Sequence, residues 1–252
     1  EVYNLITLFL TRQEIAALGV LLSMPNNEFR RLNEEIGEPS VYRFFLTGAV
    51  SVGKTTAVSQ FGSLATHDEW LEPLPTGMEK DPELVSDETI EEIDQWVAIQ
   101  IARKNVALLD DSDGVHIIDR APLDAFAFTP KGEWVNKAKF IKSKVSPGEA
   151  TRRKLCPGHV ILLLGDHEVM AVRAISRQRV TDAEKLSKQQ ALLKVVYDQR
   201  RGGITEIDTR EKSISQVAAE IGRVIHLSKY DEADMHKWLN EIEAGNIRMP
   251  DD

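Results

Sequence analysis

Short runs of apolar residues alternate along the chain with longer segments whose apolar positions recur at helical spacing. The short runs predict buried β-strands, and the longer segments predict helices. Continuous apolar strands that alternate with helices are typical of a parallel sheet covered on both faces. We therefore predict a three-layer α/β fold around a five-stranded parallel sheet. The predicted strands are 42–47, 65–71, 115–118, 160–164 and 204–208, and the predicted helices are 55–64, 86–109, 122–128, 167–179, 183–200 and 213–225.

The longest predicted helix, 86–109, has clear signals at its beginning. Ser86 can cap it, and Asp87 and Glu88 stand at the positive end of the helix dipole. Four apolar residues at helical spacing predict its buried stripe. They are Ile90, Ile93, Val97 and Ile101.

Two further segments flank the predicted α/β domain, which spans residues 38–226. Residues 1–37 contain two helical patterns interrupted at Pro25, and they predict an N-terminal helical appendage. Residues 227–252 are polar and acidic, and they predict a tail with one short helix around Trp238. Either flank is a candidate surface for a protein partner.

The composition is that of an ordinary soluble protein, with 42% hydrophobic and 28% charged residues in a chain of 252. Because the apolar runs are too short to cross a bilayer, no membrane association is expected. The single cysteine, Cys156, cannot form an intramolecular disulfide. This favours a reducing compartment and predicts a cytoplasmic protein. The chain begins at Glu1, and whether it is a fragment stays open.

The net charge of −9 is unevenly distributed along the chain. Residues 66–94 contain eleven acidic residues and one basic residue, whereas residues 131–154 contain eight basic and two acidic residues. Such runs are typical of two solvated surfaces. Alternatively, the basic run faces phosphates or an acidic partner. The acidic overall charge argues against general nucleic-acid binding. Binding of a short nucleic-acid strand by the basic run stays open.

One motif carries specific chemistry, the pattern G-x4-G-K-T at residues 48–55, which lies between a predicted strand and a predicted helix. The two glycines allow backbone conformations that turn consecutive N–H groups toward one anion, and the helix adds its positive end. Lys54 would then reach the β- and γ-phosphates of a nucleoside triphosphate, and Thr55 would bind Mg²⁺. The predicted nucleotide-binding residues are Gly48, Ala49, Val50, Ser51, Val52, Gly53, Lys54, Thr55 and Thr56.

A second charged pair, Asp119-Arg120, directly follows the third predicted strand. The carboxyl edge of a parallel sheet is where ligand-binding residues gather. A carboxylate there can bind magnesium or accept a proton, and an arginine can hold a phosphate group with two parallel hydrogen bonds. An aspartate that only caps a helix, beside a solvated arginine, is the alternative.

Around these residues the sequence resembles a family. Residues 116–124, His-Ile-Ile-Asp-Arg-Ala-Pro-Leu-Asp, resemble the Asp/Glu-Arg motif of thymidylate kinases and deoxynucleoside kinases. Gly53-Lys54-Thr55-Thr56 is similar to the thymidylate kinase loop, and Glu72-Pro73 resembles the Glu-Pro that closes the second strand of deoxynucleoside kinases. The resemblance implies a divergent P-loop kinase that moves the γ-phosphoryl group of ATP to a nucleoside or nucleoside monophosphate, with Mg²⁺ as cofactor.

The resemblance also implies a lid, at about residues 171–185, whose arginines close over the ATP phosphates. Fixed cations are needed there because phosphoryl transfer spreads negative charge over three oxygens. The predicted lid arginines are Arg173, Arg177 and Arg179. Residues 129–158 are predicted to be an insertion relative to the compact kinases. No aspartate ends the fourth predicted strand, so Asp119 is the predicted magnesium ligand together with Thr55.

On the acceptor side, the resemblance makes Glu72 the general base for a substrate hydroxyl, and Glu69 is the second candidate. Trp70, which lies between them, is a candidate for stacking on a base. Arg120 is predicted to hold the acceptor. If the acceptor is already a phosphate, no base is needed. The choice between a nucleoside and a nucleotide acceptor therefore stays open.

Two other functions stay open at this stage. One is a P-loop kinase for another acceptor, which could be a small molecule, a polynucleotide end or a protein. The other is a non-catalytic nucleotide-binding regulatory module that engages a protein partner. An acceptor that accelerates ADP release separates both kinase functions from the regulatory one.

Overall fold

The computed structural model of the protein describes residues 41–73, 75, 86–111, 114–145, 154–177 and 181–246. The predicted appendage 1–37 and the predicted lid residue Arg179 lie outside these ranges. Of the helices that the described ranges contain, none combines the length and apolar character that a membrane-spanning helix needs.

Five strands form one sheet in which every neighbouring pair is parallel, so the predicted five-stranded parallel sheet is confirmed. The strands lie in the order β2-β3-β1-β4-β5. The edge strand β2 is shorter than the predicted 65–71, and the chain leaves the sheet before Asp68. The strands are β1 Val41–Gly48, β2 Ala65–His67, β3 Gly114–Asp119, β4 His159–Leu164 and β5 Ile204–Asp208.

Helices follow most of the strands, as the alternating pattern predicted. The predicted cap Ser86 accepts a hydrogen bond from the Thr89 N–H at the start of the longest helix. The segment predicted as helix 122–128 is a 3-10 turn over Asp124–Phe128. The described α-helices are α1 Lys54–Val58, α2 Asp87–Asp110, α3 Trp134–Val145, α4 His167–Ser176, α5 Ala183–Val196, α6 Ile214–Leu227 and α7 Met235–Glu243.

The sheet separates two hydrophobic cores because successive side chains of a strand point to opposite faces. In the central strand, Phe45 packs into one core, whereas Phe44 and Leu46 pack into the other. The first core includes residues of α3, α5 and α7, and the second includes residues of α1, α4 and α6. Helices therefore cover both faces, which gives the predicted three layers.

The buried face of α2 differs from the predicted apolar stripe. Ile90 is exposed, and the other three residues of that stripe are only partly buried. Instead, the helix buries Gln100, Lys104 and Asn105. The physical reason is that these polar side chains bind backbone groups of the segment after β2, the end of β3 and the segment before β4.

The predicted insertion and the predicted tail both contribute to the first core. Trp134 and Ile141 of α3 are buried there, as are Trp238 and Leu239 of α7. The described part of residues 227–252 is therefore packed against the domain, because its one amphipathic helix buries an apolar face.

The acidic and basic runs meet within the fold. Lys137 of the basic run is buried and forms an ion pair with Asp94 of the acidic run. Lys142 of the same run pairs with Glu243 of α7. Part of the basic run therefore serves intramolecular packing between helices.

The C-terminal end of α2 is held by a buried arginine from the central strand. The Arg43 guanidinium donates two hydrogen bonds to the Leu108 carbonyl, at 3.0 and 2.7 Å, and one to the Asp111 carbonyl at 3.0 Å. Helix-end carbonyls need such partners because they have none within the helix.

Replacing Arg43 by methionine is expected to lower the free energy of unfolding by about 1.5–3 kcal/mol, because charged hydrogen bonds to buried carbonyls are lost. Urea unfolding measures the change. Arg173→Met, at an exposed helix position, is the matched control and should change stability by less than about 0.5 kcal/mol. Equal losses in the two variants would contradict the role given to Arg43.

Candidate functional site

The loop between β1 and α1 has the backbone of a phosphate cradle. Gly48 and Gly53 have φ angles of 149° and 110°. A side chain at Gly48 would also lie 2.7 Å from the Leu163 carbonyl oxygen. Ser51, at φ 63°, is the loop's one non-glycine residue in the left-handed region. The backbone therefore requires glycine at the two positions where the motif places it. We call residues 48–55 the phosphate-binding loop.

Lys54 lies buried over this loop. Its ammonium group donates to the carbonyls of Gly48 and Ala49, at 2.9 and 3.1 Å. Burial, and then the nearby charge of Arg120, lower the pKa of Lys54 to about 8, although three carboxylates oppose the shift. The ammonium group is therefore held at the loop. Because burial disfavours its charged form, a bound anion would stabilise that charge.

Thr55 and Asp119 come together as the predicted magnesium pair. The Thr55 hydroxyl donates to Oδ2 of Asp119 at 2.6 Å. Asp119 is fully buried at the end of β3, and its Oδ1 has no hydrogen-bond partner among the described residues. A hydroxyl and an unsatisfied buried carboxylate oxygen are donors that suit Mg²⁺. These residues therefore fit the ion that the motif implies.

Arg120 occupies a strained position beside the loop. Its φ of 68° is unusual for a residue with a side chain. The guanidinium forms an ion pair with Glu69 and lies 3.7 Å from Oδ2 of Asp124. It also lies over the rings of Trp70, at 6.0 Å, and Phe128, at 5.3 Å. The predicted acceptor residues Glu69, Trp70 and Arg120 are therefore close together.

Glu72 lies apart from this group. Gln100 donates to one of its oxygens at 2.7 Å, and Arg103 pairs with the other. The Glu72 side chain is 46% exposed, whereas that of Glu69 is 24% exposed. The structure thus brings Glu69 beside Arg120 and attaches Glu72 to α2. The role of either carboxylate stays a prediction.

Asp124 is a buried site residue for which sequence reasoning assigned no role. Its Oδ1 accepts hydrogen bonds from the Thr47 hydroxyl at 2.6 Å and the Tyr197 hydroxyl at 2.9 Å. Burial raises the pKa of Asp124, while Arg120 opposes the shift. The only sequence signal was its place five residues after Asp119, within the segment that carries the family resemblance.

Lys104 of α2 is a second buried residue of the site to which the sequence assigned no role. Its ammonium group donates to the Asp119 carbonyl at 2.6 Å and binds the Asp68 carbonyl as well. Burial lowers the pKa of Lys104 to about 8. This lysine connects the end of β3 to the segment after β2, and so positions both Asp119 and Glu69. The sequence did not indicate this role, because α2 contains many other charged residues.

The predicted lid is only partly described. Arg173 and Arg177 are both exposed, and Arg179 lies outside the described residues. The lid therefore stays a prediction. The next helix, α5, does reach the loop, because the Gln189 side chain accepts from the Val50 N–H at 3.3 Å. Its neighbour Gln190 accepts from the Gly165 N–H at 2.9 Å.

The parallel sheet, the phosphate-binding loop after β1 and the Asp119-Arg120 pair at the end of β3 define a P-loop kinase-like fold. Among solved structures, the chain is similar to deoxyadenosine kinase from M. mycoides with the products dCMP and dCDP bound, at TM-score 0.51 and 16% identity. That likeness covers 71% of this chain and 96% of the kinase.

Two further solved structures resemble the chain. The Deinococcus radiodurans tunicamycin resistance protein gives TM-score 0.46 and 16% identity, over 75% of this chain and 97% of that one. The thymidine kinase EHV4-TK gives TM-score 0.49 and 12% identity, over 82% and 96% of the two chains. No protein-family model and no curated protein sequence matches the chain.

The depressed pKa of Lys54 predicts pH-dependent ATP binding. Lys54 loses its charge as the pH rises through about 8, and only the charged form attracts phosphate. The dissociation constant for ATP should therefore rise toward tenfold per pH unit above that value. Isothermal titration calorimetry between pH 7 and pH 9.5 measures the slope.

The control for this pH series is Lys54→Arg, because arginine stays charged over the whole range. The slope should disappear in that variant. A slope that persists would assign the titration to another group, such as Lys104.

Proposed function

We propose that the protein is an ATP-dependent phosphotransferase that moves the γ-phosphoryl group of ATP to a nucleoside or nucleoside monophosphate. The observation that carries this proposal is the meeting of two half-sites at one edge of the sheet. The donor half is the phosphate-binding loop with Lys54, Thr55 and Asp119. The acceptor half is Arg120 with Glu69, Asp124 and two aromatic rings.

The donor half has groups for each part of the triphosphate. Loop N–H groups and Lys54 hold the phosphate oxygens, and the charge of Lys54 stabilises the negative charge that develops in transfer. Thr55 and Asp119 would hold Mg²⁺, which would supply further positive charge to the triphosphate. Closure of a lid that carries Arg173, Arg177 and Arg179 would exclude water and suppress ATP hydrolysis.

The charges of the acceptor half favour a hydroxyl acceptor over a phosphate acceptor. Arg120 is already engaged by the carboxylates of Glu69 and Asp124, and Lys104 is engaged by backbone carbonyls. Little positive charge is therefore left for a second phosphate. A carboxylate such as Glu69 can instead accept the proton of a hydroxyl.

The aromatic side chains favour an acceptor with a flat ring. Trp70 lies against Trp96 of α2, with ring centroids 5.1 Å apart, and Phe128 is exposed with its ring also near the Arg120 guanidinium. Aromatic faces of this kind stack on nucleobases. Nucleosides are thus the acceptor class that the site supports best.

A screen of ADP release tests the proposal. The protein is incubated with ATP and Mg²⁺, together with nucleosides, nucleoside monophosphates or short oligonucleotides, and Lys54→Met sets the background. We expect a nucleoside to accelerate ADP release and the corresponding monophosphate to have less effect. If no acceptor raises ADP release above the Lys54→Met background, the phosphotransferase proposal is wrong.

A further inference from the structure

Two histidines and an aspartate meet on one face of the sheet, beside the edge strand. His67 is the last residue of β2, and His116 lies in β3. Because Ala65 pairs with His116 in the parallel register, His67 and His116 project from the same face. Asp111, at the C-terminal end of α2, approaches both rings from above the sheet.

The three ligand atoms have the spacing of a metal site. Nε2 of His67 lies 2.9 Å from Nδ1 of His116. Oδ2 of Asp111 lies 3.5 Å from Nδ1 of His116 and 3.7 Å from Nε2 of His67. Ligands at zinc bond lengths in a tetrahedron are about 3.3–3.5 Å apart. The His67–His116 distance is shorter than this range because the two rings share a hydrogen bond, and the two distances to Asp111 are at or just above it.

The aspartate oxygen gives a second, independent indication. Oδ2 of Asp111 is buried and has no hydrogen-bond partner among the described residues. A buried carboxylate oxygen without a partner is costly. This is the same oxygen that faces both imidazole nitrogens, and one cation bound between the three atoms would satisfy it.

The neighbouring cationic side chains, Arg43 and Lys104, are bound by backbone carbonyls. The Arg43 guanidinium is bound by the carbonyls of Leu108 and Asp111. The Lys104 ammonium group is bound by the carbonyls of Asp68 and Asp119. Both positive charges are therefore committed to backbone oxygens.

We propose that His67, His116 and Asp111 bind one divalent metal ion of the zinc class. Two imidazole nitrogens with one carboxylate suit zinc and related transition metals, whereas Mg²⁺ prefers oxygen ligands. The side chains of His67 and Asp111 are partly exposed, so a fourth position is open to water. We name these three residues the histidine–aspartate site.

The proposed metal would hold the shortest strand of the sheet in place. β2 has three residues and, among the strands of the described residues, it pairs with β3 at the edge of the sheet. A metal bound by His67, His116 and Asp111 joins β2, β3 and the end of α2. Since Glu69 follows His67 by two residues, the histidine–aspartate site would position the acceptor half of the active site without contacting substrate.

Zinc titration of the chelator-treated full chain tests the proposal, with Co²⁺ as a spectroscopic probe. We expect one equivalent of Zn²⁺ to bind in the presence of excess Mg²⁺, and bound Co²⁺ to show the visible absorption of a low-symmetry, nitrogen-ligated ion. His67→Gln and Asp111→Asn should each weaken zinc binding by at least about 10- to 100-fold, the loss that follows even when a residue supporting a ligand is replaced. These two positions are chosen because His116 is buried and its replacement risks unfolding.

His236→Gln is the matched control, since His236 is a partly buried histidine on α7, remote in sequence from the site. It should bind Zn²⁺ like the wild-type protein. Absence of stoichiometric zinc binding would overturn the proposal, as would wild-type affinity in His67→Gln. Loss of binding in Asp119→Asn with retention in His67→Gln would also overturn it, because the metal would then occupy the phosphate-binding half of the active site.

Discussion

Replacing Lys54 by methionine is expected to lower the rate of phosphoryl transfer by about 100- to 1,000-fold. The lysine is buried at the phosphate-binding loop, where its ammonium group binds the carbonyls of Gly48 and Ala49. Methionine has similar length and no charge, so the change removes electrostatic stabilisation and keeps most of the packing. Initial rates of acceptor phosphorylation at saturating ATP measure the effect.

The Lys54→Met result needs a check on folding. Thermal unfolding of the variant should resemble that of the wild-type protein, because a buried charge has been replaced by an apolar chain of similar volume. A folded variant that retains more than about a tenth of wild-type activity would contradict the role of Lys54 in transition-state stabilisation.

Replacing Glu69 by glutamine is expected to lower kcat for a hydroxyl acceptor by about 100- to 10,000-fold, the range of general-base catalysis. The amide keeps the shape of the side chain and can no longer take up the hydroxyl proton. KM should change less than kcat, since in the proposed function Arg120 and the aromatic rings would contact the acceptor in the variant as well. Steady-state kinetics with the best acceptor from the ADP-release screen measure both constants.

Glu72→Gln is the matched variant, three residues further along the chain. Its carboxylate is half exposed and paired with Gln100 and Arg103, so its loss should change kcat by less than about tenfold, as for a surface ion pair. A larger loss in Glu72→Gln than in Glu69→Gln would transfer the role of base to Glu72. Unchanged rates in both variants would indicate a phosphate acceptor, which needs no base.

The donor half of the site could be predicted from the sequence because it is contiguous. Gly48, Gly53, Lys54 and Thr55 lie within eight residues, and the requirement for positive φ at both glycines is a local property of the backbone. The alternation of apolar strands and helices was likewise enough to predict the parallel sheet. Because apolar runs mark buried strands, β1, β3, β4 and β5 were predicted to within one residue of their observed bounds, whereas β2 was predicted too long.

The acceptor half could be predicted only in part. Arg120 was expected beside the phosphate-binding loop because the carboxyl ends of the strands in a parallel sheet converge. The choice between Glu69 and Glu72 depends on how the chain turns after β2, and β2 ends four residues earlier than predicted. Asp124 gave no signal of its role because its partners Thr47 and Tyr197 lie 77 and 73 residues away.

Contacts between residues far apart in the sequence also determine which polar residues α2 buries and which residues form the histidine–aspartate site. His67 and His116 are 49 residues apart, and neither has a metal-ligand neighbour at regular spacing. Local sequence was sufficient for the phosphate-binding loop and the layers of the fold, since glycine conformation and apolar periodicity act over a few residues. The pairing of buried charges depended on tertiary packing, because the partner that compensates a buried charge comes from a distant part of the chain.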